Sequence, residues 1–292
     1  MSQFFGGIDA GGATFKCGVQ DGAGRWVARR RVPTTTPAET LAACAAFFRD
    51  AGHPLASLGI ASFGPVDVDP ASPGYGTIRL TPKPHWSGAD LRRAFAGPLG
   101  VAPVVDTDVN GALRAELHDG AAMGARTAAY VTVGTGIGAG IVSHGVWLGR
   151  PAHPEFGHIL VRPHPRDADF KGVCPFHGVC LEGMASVTAL KARWGDPAGW
   201  AADHAGWEVA AFYLAQAALA LTYTLRPERI VFGGGLMLSP HMLPRLRAEF
   251  DRLINAYFGP RTPKAETLIH TPAHGDDAGL QGAVYLGRFG ST

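Results

Sequence analysis

Residues 128–149 read AAYVTVGTGIGAGIVSHGVWLG, and residues 4–20 read FFGGIDAGGATFKCGVQ. Each is an apolar run, a glycine cluster and a second apolar run, the pattern of a strand, a tight turn and a strand. RWVARRRV follows the first as a third strand of the same meander, and the second continues into a third segment in the same way. A meander therefore opens each half, and the chain reads as two α/β lobes that begin alike, 1–120 and 121–292.

Outward from those meanders the order alternates. Thr36-Pro37-Ala38-Glu39 supplies an N-cap, a proline at the first helical position and a reciprocating glutamate, which predicts a helix to Gly52. SLGIASFG and VAPVVD read as short strands, TIRLTPKPHW as an extended stretch broken by prolines, and DVNGALRAELHDG as a helix with a glycine stop. In the second half, helices are expected over Leu181–Arg193, Glu208–Leu225 and His241–Tyr257, strands at RIVFGGG and TLIHTPA, and a last helix at DDAGLQGAVYLGR, which can pack back on the first lobe.

Composition excludes several classes. With 46% hydrophobic residues among 292, the chain buries substantial cores, and with 17% charged residues and a net charge of +2 it lacks the basic field that nucleic acid or an anionic membrane requires. MSQFFGGIDAGG has no basic leader with an apolar run, and no later segment offers about 18 uninterrupted apolar residues, so a cytoplasmic protein is expected. Cys17 and Cys44 sit among apolar neighbours and read as core.

Phosphates are gripped by main-chain N–H groups where no Cβ stands in the way, which favours glycine. DAGGAT (9–14), GTGIGAG (134–140) and GGG (233–235) are three such turns, two of them opening equivalent halves. GTGIGAG satisfies the G-x-G-x-x-G count but lies within a hairpin and opens no helix, so a nicotinamide enzyme is disfavoured. Asp108 sits where a strand ends and a helix starts; it is either an N-cap or the carboxylate that orients and deprotonates an accepting hydroxyl.

GGIDAGGATFKCGV, FGPVDVD, YGTIRLTPKPHW, VVDTDVNGALRAE, YVTVGTGIGAGIV, PEFGHI, CPFHGVCLEGMAS and RIVFGGGLM occur in the order seen in the sugar kinases of the repressor, open-reading-frame, kinase (ROK) family, and the set is most similar to its bacterial fructokinase branch. The resemblance implies a two-lobe, actin-like, ribonuclease H-like α/β fold with a small zinc-binding loop, its active site between the lobes. It implies a kinase using ATP and magnesium, with a hexose, foremost fructose taken to fructose 6-phosphate, as the small-molecule partner. Asp108 becomes the catalytic base. Gly11, Gly12, Thr14, Gly134, Thr135, Gly136 and Gly138 face the ATP phosphates, with Asp9, Thr132 and Gly183 beside them, and Gly233, Gly234 and Gly235 lie along the nucleotide. Gly64, Pro65, Glu155, His158 and Glu182 join Asp108 around the sugar.

The family also binds zinc at CPFHGVC, and the spacing agrees: Cys174, His177 and Cys180 lie three apart on one loop, and His158 supplies a fourth ligand from an earlier segment. Four protein ligands leave no position for water, so a structural zinc is expected. A Cys174–Cys180 disulfide is disfavoured in a reducing cytosol, and His144, His153 and His164 read as ordinary surface or hydrogen-bonded histidines. Fixing His158 orients Glu155, which makes the loop a brace for the sugar side.

Three features depart from the family pattern. Its first phosphate loop commonly reads Gly-Gly-Thr-Lys where this chain has Gly11-Gly12-Ala13-Thr14, setting the contacts around Ala13, Thr14 and Lys16 apart. Thr107 stands where asparagine often precedes the aspartate, and Val187-Thr188 replaces a Gly-Pro. A glucose, mannose or N-acetylmannosamine kinase is the alternative enzyme, and a sugar-responsive regulator the alternative outside enzymes. The regulators carry a helix-turn-helix ahead of the first strand, which this chain reaches by Phe4. Neither nucleic acid nor membrane is an expected partner, and the expected assembly is a homodimer.

Overall fold

A computed structural model describes residues 3–81 and 83–290. Pro82, inside TIRLTPKPHW, lies outside the described residues. In chain order the elements are β1 (Phe4–Ala10), β2 (Thr14–Asp21), β3 (Trp26–Pro33), α1 (Pro37–Asp50), β4 (Leu55–Ser62), α2 (Leu91–Leu99), β5 (Val104–Thr107) and α3 (Asp108–Asp119). There follow β6 (Ala128–Val133), β7 (Ile137–Ser143), β8 (Val146–Trp147), α4 (Leu181–Ala185), α5 (Val187–Trp194), α6 (Ala205–Leu225), β9 (Arg229–Gly233), α7 (Met242–Ile254), α8 (Ala265–Leu268), β10 (Ile269–His270) and α9 (Ala278–Phe289).

The chain divides into two compact units. The first runs to His118 and takes in Gly149–His153 and the chain from Asp277 on; the second is Asp119–Leu148 and Pro154–Asp276. Each holds a five-stranded sheet, in the orders β3-β2-β1-β4-β5 and β10-β9-β6-β7-β8. Both begin with an antiparallel three-strand meander and extend from its first strand by two parallel strands, so one topology is built twice.

In the first unit the capping box forms: the Thr36 hydroxyl accepts the Glu39 N–H at 3.4 Å and itself bonds the Glu39 carboxylate at 3.0 Å. Trp86 is fully buried, with ring centroids 5.2 Å from Phe15 and 5.5 Å from Phe63, and its indole N–H donates to the Thr35 carbonyl at 2.9 Å. It pins the irregular segment after β4 to the lead into α1. Cys17 and Cys44 are buried and unlinked. The last helix, α9, lies across β1 and β4, where Gly59 admits it: a Cβ there would fall 1.9 Å from the Ala283 carbonyl oxygen.

In the second unit α6 is the central helix, buried on most of its faces. Among the described residues it is the one helix long and apolar enough to cross a membrane, and 61% of its apolar window is buried within the protein.

Three elements differ from the sequence reading. The helix expected over Leu181–Arg193 is interrupted at Ser186, whose extended backbone ends α4 and whose hydroxyl caps α5 through the Ala189 N–H at 3.2 Å. The strand expected at TLIHTPA opens as the last two residues of a single helical turn, α8, and only Ile269–His270 pairs with β9. Helix α2 was not expected, although Asp90 caps it by accepting the Arg93 N–H at 2.8 Å and Gly100, at φ 67°, ends it.

Candidate active site

The first unit holds Asp9, Gly11, Gly12, Thr14, Gly64, Pro65 and Asp108. In the turn between β1 and β2, every carbonyl from 11 to 14 is tied back by the protein. Gly11 accepts from the Thr34 hydroxyl at 2.8 Å, Gly12 from the Lys83 ammonium, Ala13 from the Thr34 N–H at 3.0 Å, and Thr14 from the Gly11 N–H at 3.1 Å. Among the described residues the N–H groups of Gly12 and Ala13 meet no acceptor. A turn with its acceptors occupied and its donors left over is built for an anion.

Two carboxylates stand by it. Asp9, at the end of β1, lies opposite Lys16 on β2, Nζ to Oδ2 3.4 Å, and beside the start of α9, where a Cβ on Gly279 would come within 2.8 Å of its oxygens. Asp108 is the first residue of α3 and is partly buried. The cap of that helix is Thr107, whose hydroxyl accepts the Asn110 N–H at 3.3 Å; the Asp108 carboxylate accepts the adjacent Val109 N–H at 2.9 Å. Burial, and then the neighbouring Asp9 charge, push the Asp108 carboxyl up to about 7. A carboxylate poised at neutral pH is matched to taking a proton from a hydroxyl. The buried Asp106 beneath it fixes the start of the helix, accepting from Thr107 N–H and Asn110 Nδ2, both at 2.8 Å, and pairing with Arg150 at 2.8 Å. Gly64 lies near His153, its missing Cβ 3.9 Å from the ring, and Pro65 accepts the Arg79 N–H at 2.8 Å.

The second unit repeats the turn between β6 and β7. Gly134 accepts from the Val187 N–H at 2.8 Å, Thr135 from the Thr188 hydroxyl at 2.7 Å, and Gly136 from the Gly134 N–H at 2.9 Å. Among the described residues the N–H groups of Thr135 and Gly136 meet no acceptor, as in the first turn. Val187-Thr188, the departure from Gly-Pro, thus supplies the two donors that anchor this turn. Thr132 sits in register between Gly138 on β7 and Gly233 on β9. Gly234, at φ 87°, has its Cβ position within 2.7 Å of the Val133 backbone, so glycine is required, while Gly235 faces open space.

Glu182, on α4, accepts the Ile137 N–H at 2.9 Å through Oε2, and this same oxygen occupies the space of a Gly136 Cβ, 2.6 Å away. One oxygen of a residue expected at the sugar therefore holds the glycine turn. Gly157 presses on the Ile137 carbonyl, where a Cβ would fall 1.9 Å from the oxygen; Glu155 begins that short helical turn and His158 ends it. Gly183, expected at the nucleotide, has its Cβ space filled by the Gly178 carbonyl at 1.9 Å and Cys174 at 3.1 Å, so its glycine serves the cysteine loop.

That loop brings its four candidate ligands together. One atom from each of His158, Cys174, His177 and Cys180 lies within 4.8 Å of all the others. Cys174 Sγ is 3.8 Å from His158 Nδ1 and 3.7 Å from His177 Nδ1, and Cys180 Sγ is 3.6 Å from His158 Nδ1. Tetrahedral bonds of about 2.3 Å to sulfur and about 2.0–2.1 Å to nitrogen put sulfur and nitrogen about 3.6 Å apart, so the residues fit zinc without rearrangement. Backbone bonds close the frame: Leu181 N–H to Ile159 at 2.8 Å and Val173 N–H to Gly183 at 3.0 Å. The cluster reaches the glycine turn twice, from His158 through Gly157 and from Cys180 through Glu182.

Sequence reasoning missed Lys83, the Val187-Thr188 anchor and the Glu182–Ile137 bond. The first is separated from the turn by 71 positions in the chain, and no local pattern announces such a contact.

The ROK family model matches residues 5–288. A fructokinase from Zymomonas mobilis is 43% identical over 97% of this chain and 96% of its own length, and one from Streptococcus mutans is 41% identical over 94% and 93%. The crystal structure of a ROK family glucokinase from Streptomyces griseus, in complex with glucose and AMPPNP, is 26% identical, with a TM-score of 0.77, over 99% of each chain. Matched by the family model over nearly its whole length and by relatives more than 40% identical from end to end, the chain belongs to the ROK family.

Proposed function

We propose that the protein is an ATP-dependent hexose kinase that phosphorylates fructose at its 6-hydroxyl. The observation that carries the reading is Asp108: a partly buried carboxylate, freed from capping by Thr107, beside a turn whose Gly12 and Ala13 N–H groups have no acceptor among the described residues. The fructokinase relatives, matched end to end, support fructose as the acceptor. In the reaction the hexose oxygen bonds to the γ-phosphorus of ATP, the bond from that phosphorus to the ADP oxygen breaks, and Asp108 receives the hydroxyl proton. The glycine turns hold the phosphates, and magnesium, when bound with ATP, neutralises charge on them. Glu155, Glu182, Gly64 and Pro65 are assigned to the sugar, with the second oxygen of Glu182 available for that contact.

His158, Cys174, His177 and Cys180 hold a structural zinc in this reading, which fixes the segments carrying Glu155 and Glu182. The protein is assigned to the cytoplasm, where ATP is maintained, and to a homodimer; Leu160 and Phe176, apolar side chains 73% and 85% exposed beside the zinc loop, support a partner surface there. A coupled assay of ADP release across fructose, mannose, glucose and N-acetylmannosamine tests the activity. Fructose is expected to give the highest kcat/KM; a preference for another sugar of the four would move the enzyme to that substrate, and no release with any would end the kinase reading.

A further inference from the structure

The first glycine turn lacks a lysine of its own, and two lysines reach its neighbourhood from elsewhere. Lys16 is engaged with Asp9 at 3.4 Å. Lys83 differs: its ammonium bonds the Gly12 carbonyl, and among the described residues it meets no carboxylate. An ammonium carries three donors, so the Gly12 bond leaves two of them and the whole positive charge uncompensated at the turn.

Lys83 is also held there deliberately by the fold. Its carbonyl accepts the N–H of Trp86 at 3.3 Å, and the buried Trp86 ring is fixed by Phe15, Phe63 and the Thr35 carbonyl. Phe15 belongs to β2, immediately after the turn. The side chain that reaches Gly12 thus departs from an anchored point and not from a free loop. Beside it stand the Gly12 and Ala13 N–H groups, which also lack acceptors among the described residues.

The geometry points to Lys83 as the cation of the first phosphate turn: its ammonium, positioned by Gly12, faces the terminal phosphoryl group of the nucleotide and stabilises the charge on its oxygens as the group moves to the sugar. This assignment rests on the kinase reading. It separates the two lysines, with Lys83 touching the phosphoryl group and Lys16 balancing Asp9.

The test is Lys83→Ala and Lys83→Arg, assayed with saturating fructose and magnesium ATP, with melting temperatures measured alongside. Removing one preorganised donor from a charge-stabilising site typically lowers kcat by about 10²–10³-fold, and Lys83→Ala is expected to show that loss with a sugar KM within about threefold of wild type. Methylammonium is expected to restore part of the rate to Lys83→Ala, whereas tetramethylammonium, which has no N–H, is not. Lys83→Arg is expected to retain more activity than Lys83→Ala. A kcat in Lys83→Ala within about threefold of wild type overturns the assignment, since that is far below the expected loss. So does a loss accompanied by a lowered melting temperature that methylammonium leaves unchanged, which would make Lys83 a clamp on Gly12 alone. A wild-type protein without sugar-dependent ADP release would fail the kinase reading itself, and the assignment with it.

Discussion

Asp108→Asn should make the protein more stable and nearly inactive at the same pH, and the two effects have one cause. The Asp108 carboxyl is raised from 3.8 to about 7, first by burial and then by Asp9, so the folded state holds its proton more tightly than the unfolded chain. Below pH about 4 both states are protonated and the carboxyl costs nothing. As pH rises the unfolded state ionises first, and wild type loses stability until the folded carboxyl also ionises near 7; above that the cost is constant. The full shift corresponds to about 4 kcal/mol, an upper bound, because Asp108 is only partly buried; solvent screening reduces it to about 1–2 kcal/mol. Asparagine carries no charge at any of these pH values and its Oδ1 still accepts the Val109 N–H. The melting temperature of Asp108→Asn, without nucleotide, should therefore match wild type near pH 4 and exceed it by about 2–3 °C at pH 8. Scanning calorimetry across pH 4–8 measures this, and steady-state turnover at pH 8 should fall by about 10²–10⁴-fold. A melting-temperature difference that does not grow with pH would show that the carboxyl is not raised, and turnover within about threefold of wild type would leave Asp108 without a proton to move.

Cys180→Ser should lose its zinc by elemental analysis, melt at lower temperature, and bind both ATP and fructose more weakly, because the cluster reaches the glycine turn through Glu182 and Gly157 as well as the sugar segment. Full zinc occupancy would mean the ligand set is wrong, and unchanged ATP affinity in the zinc-free variant would mean the loop does not brace the turn. Glu182→Ala leaves the Ile137 N–H without its charged acceptor, a loss of about 1.5–3 kcal/mol, and should weaken ATP binding at least about tenfold by calorimetry while zinc content stays at wild type. Unchanged ATP binding would sink the role given to that bond.

Much of this was legible because its physics is local. The meanders announce themselves by apolar runs around glycine, the Thr36–Glu39 box by its spacing, and the four zinc ligands by three residues three apart plus one nearby histidine. Helix α2 was also written locally, in Asp90, Leu91, Phe95 and Gly100, but the prolines and glycines around it masked a short period. Ser186 hid the break between α4 and α5 because a single hydroxyl decides it. What the sequence does not carry is which distant segments meet. Nothing near Gly12 marks Lys83 as its partner, and nothing near Gly183 says that the Gly178 carbonyl occupies its Cβ space. The N-cap reading of Asp108 was equally open until the Thr107 hydroxyl was seen on the Asn110 N–H. Gly149–His153 joins the first unit, with Arg150 on Asp106, for reasons that lie wholly in tertiary packing.

Phosphorus NMR of the purified protein with magnesium ATP and fructose observes directly whether this chain moves the γ-phosphoryl group of ATP onto fructose. A phosphomonoester signal assigned to fructose 6-phosphate is expected, growing in equal amount with ADP and at least about 10²-fold more slowly in Asp108→Asn. Fructose left unphosphorylated while the wild-type protein stays folded and zinc-loaded would contradict that transfer.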